Sequence, residues 1–112
     1  MTSIGNQAFC RSGLTGITLG NSMISIGASA FDSNGLTSIK IPNSVTSIGD
    51  QAFIDCTNLN TVDVSWNQPI PITQYVFRRT RLTTLYVPKG ARDLYANSNW
   101  CVFPDTNIIE KD

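Results

Sequence analysis

The side chains of this 112-residue chain that could do chemistry are few. They are Cys10, Cys56 and Cys101, the carboxylates Asp50, Asp55, Asp63 and Glu110, the arginines Arg78, Arg79 and Arg81, and Trp66. A cysteine or serine nucleophile needs a base beside it, and the sequence contains no histidine. Three cysteines without a C-x-x-C pair, and again no histidine, do not make a zinc site. Paired-carboxylate hydrolysis needs two close acids, whereas Asp50, Asp55 and Asp63 are spread along the chain and Glu110, the sole glutamate, sits in the tail. Neither a P-loop nor a dinucleotide-binding glycine fingerprint is present. The expectation is a protein that is not an enzyme and has no cofactor and no bound metal.

What remains is recognition. Arg78, Arg79 and Arg81 form the one dense charge cluster, either merely solvated or a contact for an anion or acidic partner. Trp66 lies beside Pro69 and Pro71 in a stretch outside the regular pattern. It packs under its own loop or, if exposed, grips a protein or sugar. Cys56 follows Phe53 by three residues, where other parts of the chain carry Ser12, Asn34 and Thr80, so a small inward residue closing a turn is expected there. A buried free thiol suits that position. A Cys10–Cys56 disulfide would have to span two rungs of the structure inferred next.

These residues are set on a repeat. Ile4-Gly5-Asn6-Gln7-Ala8-Phe9 returns as Ile26-Gly27-Ala28-Ser29-Ala30-Phe31 and as Ile48-Gly49-Asp50-Gln51-Ala52-Phe53, with a looser copy from Ile72 to Phe77. Each is followed by an apolar triplet: Leu14/Ile17/Leu19, Leu36/Ile39/Ile41, Leu59/Val62/Val64 and Leu82/Leu85/Val87. The phenylalanines at 9, 31, 53 and 77 are spaced 22, 22 and 24 residues apart. A period of this size means a solenoid, because each unit has an apolar side that it can bury only against its neighbours.

Residues 36–58 show what one unit must do. Ser38-Ile39-Lys40-Ile41 alternates, so Ile39 and Ile41 point inward from a short strand. Pro42 ends that strand, Asn43-Ser44 turns, and Val45 to Ile48 is a second extended piece. Gly49 reads as a positive-φ corner, and Asp50 to Phe53 as one helical turn with Ala52 and Phe53 in the core. Strands of successive coils then pair in parallel. Stacked columns are expected for Phe9/Phe31/Phe53/Phe77, Leu14/Leu36/Leu59/Leu82 and Ile17/Ile39/Val62/Leu85. One outward position per coil gives the ladder Thr18, Lys40, Asp63, Tyr86, and the next gives Gly16, Ser38, Thr61, Thr84.

The phrase L-x-x-I-x-I-P-x-S-V-x-x-I-G-x-x-A-F-x-x-C, met nearly position for position from Leu36 to Cys56, resembles the BspA-like leucine-rich repeat. That class is abundant in surface proteins of gut and oral Bacteroidetes. The first unit departs from it in having Gly20 for the proline, and the fourth in having Thr73 for the glycine and an insertion over Ser65–Pro71. The resemblance implies a leucine-rich-repeat-like solenoid of short parallel β-strands with single helical turns. It also implies a cell-surface or secreted location, and adhesion to a host or bacterial surface protein or to a glycan.

Composition agrees with a single domain: 41% hydrophobic residues for a continuous core and a net charge of zero. The balance argues against nucleic acid, and no apolar run approaches the roughly 20 residues of a membrane helix. Residues 1–87 are read as about four repeats, the first incomplete, and 88–112 as a C-terminal cap in which residues 90–97 have helical spacing. Ala91, Leu94 and Tyr95 would face the last coil with Trp100 and Phe103, an aromatic sugar platform being the other reading. Because the sequence enters in mid-repeat, it is read as the C-terminal part of a longer protein. The edge of its first coil is expected to be frayed or covered by another copy, a route to self-association. Two functions stay open. One is a binding module using Lys40, Asp63 and Tyr86 on the sheet, or Trp66 with Arg78, Arg79 and Arg81 on the opposite side. The other is a structural spacer with no site of its own.

Overall fold

The computed structural model describes residues 2–111 and forms a parallel β-solenoid of about five turns with one short helix. The elements in chain order are β1 (Ser3–Ile4), β2 (Ser25–Ile26), β3 (Ser38–Ile41), β4 (Ser47–Ile48), β5 (Thr61–Val64), β6 (Thr84–Val87), α1 (Arg92–Ala96) and β7 (Asn107–Glu110). They make two parallel sheets, one ordered β1-β2-β4 and the other β3-β5-β6-β7. Registers follow the repeat: Ser3, Ser25 and Ser47 align, as do Ile39, Val62, Leu85 and Ile108. Parallel pairing is forced, since every coil runs the same way round the core.

The expected columns form. Phe9, Phe31, Phe53 and Phe77 stack with ring centroids 5.6, 5.3 and 5.3 Å apart and planes within 8°. Phe31, Phe53 and Phe77 are buried, and Phe9, at the end of the stack, is half-buried. Leu36, Leu59 and Leu82 lie beside them, as do Ile39, Val62 and Leu85, while Leu14 and Ile17 of the first coil are only partly covered.

Two local expectations are corrected. The segment before each phenylalanine is not a helical turn but a run of tight turns, with left-handed residues at Gln7, Ser29 and Gln51 and again at Arg11, Ser33, Asp55 and Arg79. These alternate with residues whose N–H reaches back three positions, such as Ala8 to Gly5 and Cys10 to Gln7. The intervening N–H groups point along the solenoid to the next coil: Phe9 to Ala30 O, Phe31 to Ala52 O, Phe53 to Val76 O, and Arg11 to Asp32 O, Ser33 to Ile54 O, Asp55 to Arg78 O. Backbone pairing thus continues on the third wall without a strand.

Gly49 does not adopt positive φ, and its role is close approach. A Cβ there would stand 2.3 Å from Ala28 N and one at Gly27 would stand 2.6 Å from Asn6 N, whereas Gly5 has open space. Glycine lets one coil rest its backbone on the preceding one. In the fourth coil Thr73 takes this place, its hydroxyl bonds Asp50, and Tyr75 lacks the positive φ of its equivalent Gln51 one coil earlier.

The insertion follows the packed one of the two readings of Trp66. Trp66 is 7% exposed, its Nε1–H donates to Val45 O at 2.8 Å, and its ring lies 5.3 Å from Trp100. Trp100 covers Phe77 at 5.5 Å and donates its indole N–H to Ile70 O. Tyr95, from α1, is buried with its hydroxyl on Trp66 O at 2.8 Å. The cap and the insertion therefore form one aromatic lid over the last coil. Leu94 is the exception, half exposed rather than facing the coil, because Ala91 and Tyr95 take the inward stripe of so short a helix.

Candidate binding face and the open edge of the sheet

β3, β5 and β6 each bury alternate residues and turn the others out, so the sheet has a core face and an outer face. On the outer face Lys40, Asp63 and Tyr86 are direct register partners, and Ser38, Thr61 and Thr84 form the adjacent row. Lys40 is exposed, while Asp63 and Tyr86 are half-buried. β7 extends both rows by Ile109 and Asn107.

That last strand was not foreseen, and it alters the face. Lys111, just beyond β7, reaches across β6 and donates to Asp63 Oδ1 at 2.6 Å and to Val64 O at 2.9 Å. Asp63 is therefore already paired. The available signal was slight: Asn107-Ile108 follows Thr84-Leu85 by one repeat length, with no repeat phrase around it.

Gly16 and Thr18, expected as the first rungs of the two rows, do not join them. No strand forms over residues 14–19. The first coil is tied to the second at Leu14, whose carbonyl accepts from Gly35 N at 2.8 Å and whose N–H donates to Asn34 Oδ1 at 2.9 Å. The chain then leaves the sheet, which makes β3 the terminal strand. Between them lies a cleft of about 420 Å3, with Ile17, Leu19, Gly20 and Asn21 on one wall and Lys40 and Pro42 on the other.

The turn wall presents a different surface. Arg79 pairs with Asp55 at 3.1 Å, and the Arg78 guanidinium lies 5.6 Å from the ring of the exposed Tyr75. Arg81 is exposed. Trp66, expected as a companion of these arginines, offers no contact surface, because its indole belongs to the lid; that assignment is corrected.

The cysteines are free thiols. Cys56 is fully buried and its thiol donates to Phe31 O at 3.1 Å, just as Asn34 Nδ2 donates to Phe9 O one coil earlier at 2.7 Å. The small inward residue is thus a hydrogen-bonding post between coils as well as a space-filler. Burial pushes the Cys56 thiol above its ordinary pKa, with Asp32 and Asp55 adding to the effect and a backbone hydrogen bond opposing it. Burial likewise raises the Tyr95 phenol.

Among the described residues, no helix is long and apolar enough to cross a membrane. A family model described as a BspA type leucine rich repeat region matches residues 1–101 in six copies. No curated protein matches the chain.

Proposed function

The chain belongs to the BspA-type leucine-rich repeat family, and from that premise we propose that it is a non-enzymatic binding module of a cell-surface or secreted protein. Its partner is a surface protein or a glycan, met by the outer face of the sheet β3-β5-β6-β7. The observation that carries this reading is the chemically varied row Lys40–Asp63–Tyr86, held in register by backbone pairing. A row of one cation, one carboxylate already paired with Lys111 and one phenol can select a partner, and Tyr86 supplies contact area at low entropic cost. The arginines Arg78, Arg79 and Arg81, with exposed Tyr75, make a second candidate patch on the turn wall.

The test compares two sets of substitutions on immobilised matrix proteins and glycans. Lys40→Ala with Tyr86→Ala is expected to weaken binding at least tenfold, with little change in melting temperature. Arg78→Ala, Arg79→Ala and Arg81→Ala together should leave that binding intact. Loss confined to the arginine set would move the site to the turn wall. If neither set changes binding to any partner, the chain is a spacer.

A further inference from the structure

We propose that the free edge of β3 takes up an extended peptide carrying a carboxylate, laid in the cleft between β3 and residues 17–21 with its acid on Lys40. This goes beyond the sheet-face reading and rests on it in part, because Lys40 borders both. The first observation is topological. β3 is the terminal strand of its sheet, so its outer edge offers strand-spaced backbone donors and acceptors. An extended peptide matches such an edge, whereas a sugar does not.

The second observation explains why the edge is free. Residues 14–19 carry the same apolar triplet as β3, β5 and β6, yet they form no strand. Gly16 stands where the other coils have Ser38, Thr61 and Thr84, and Gly20 stands where the second coil has Pro42. Each glycine raises the entropic cost of fixing an extended backbone. The segment stays attached at Leu14 and bends away after it.

The third is the chemistry of the space left behind. About 420 Å3 lies within the roughly 300–1,000 Å3 usual for ligand pockets. Ile17, Leu19 and Pro42 give it apolar walls, and Lys40 supplies a charge. On its other edge β3 pairs with β5, where the phrase Thr61-Val62-Asp63-Val64 sets Asp63 in register with Lys40. Asp63 itself is engaged by Lys111, and Lys40 has no ion pair among the described residues. A second strand of the same phrase in the cleft would place a carboxylate against it.

The probe is therefore a dye-labelled peptide, Asn-Thr-Val-Asp-Val-Ser, with a control bearing lysine for the aspartate, read by fluorescence anisotropy. The whole protein is expected to bind the first at least tenfold tighter than the control. Lys40→Glu should reverse the preference while both peptides still bind. The double variant Gly16→Ser, Gly20→Pro restores the repeat phrase, lets residues 16–19 pair with β3 and should abolish binding of both peptides. Its circular dichroism should match the parent and its melting temperature should equal or exceed it. An unchanged preference in Lys40→Glu, equal binding by the double variant, or no binding of either peptide at ~1 mM would overturn the proposal. So would a concentration-dependent dimer that the peptide does not compete away, since a second copy would then own the cleft. Tyr86→Ala keeps the two readings apart: it should spare peptide binding, and it should weaken a surface partner even if the peptide fails.

Discussion

At Gly49 a single methyl group would collide with the backbone of the preceding coil, whereas at Gly5 it would meet nothing. Gly49→Ala should therefore lower stability by about 1–3 kcal/mol, the usual range for overpacking, and Gly5→Ala should be nearly neutral; urea titrations of the two variants make the comparison. The phenylalanine stack gives a parallel test. Phe53→Ala should cost about 3–5 kcal/mol, and Phe9→Ala clearly less, because Phe9 is already half open to water. Cys56 contributes a pH signature. Its buried thiol has a raised pKa in the folded state, so its contribution to stability is fully present below the ordinary thiol value and is lost as pH rises through the folded one. Parent stability should decline above pH ~9 more steeply than that of Cys56→Ser, in which the hydroxyl keeps the bond to Phe31 O. Tyr95 adds a decline of the same sign in both proteins, so the difference isolates the thiol.

At the scale of elements, what was legible in the sequence is whatever repeats. Four phenylalanines at near-constant spacing specified the stack, and Ile39/Val62/Leu85 specified the register of three strands. The turn wall differs from expectation because Asp50 to Phe53 has helix-compatible residues, and the left-handed backbone at Gln51, a residue type that seldom adopts it, makes the segment a turn. For Trp66 the sequence leaves packing and exposure both open, because prolines and an irregular spacing suit either, and the partners that decide for packing, Val45 and Trp100, are distant in sequence. β7 was missed because a strand of one repeat length without its phrase leaves little pattern. Its consequence is testable at Lys111. The pair with Asp63 is partly exposed, so Lys111→Ala should cost about 1 kcal/mol or less in chemical denaturation. It should also free Asp63 on the outer face and shift the preference of any face-bound partner toward cations.

Across the whole molecule, the two ends are unequal. The last coil lies under Tyr95, Trp100 and Trp66, while the first has a half-open ring and an unpaired strand phrase. In a stack where each coil rests only on its neighbours, opening should begin at the less covered end. Hydrogen exchange is expected to be fastest for amides of residues 2–19 and slowest for β5 and β6; equal protection at both ends would contradict this picture. The turn wall carries one more consequence. Its peptide groups form files along the solenoid, Phe9 N to Ala30 O, Phe31 N to Ala52 O, Phe53 N to Val76 O, and a second through Arg11, Ser33 and Asp55, with every N–H pointing the same way. Amide dipoles aligned head to tail add and polarise one another. The wall is therefore an electrical vector that grows with each added coil, its carbonyl pole at Ala8 and Cys10 of the first coil, where a cation is favoured and an anion repelled.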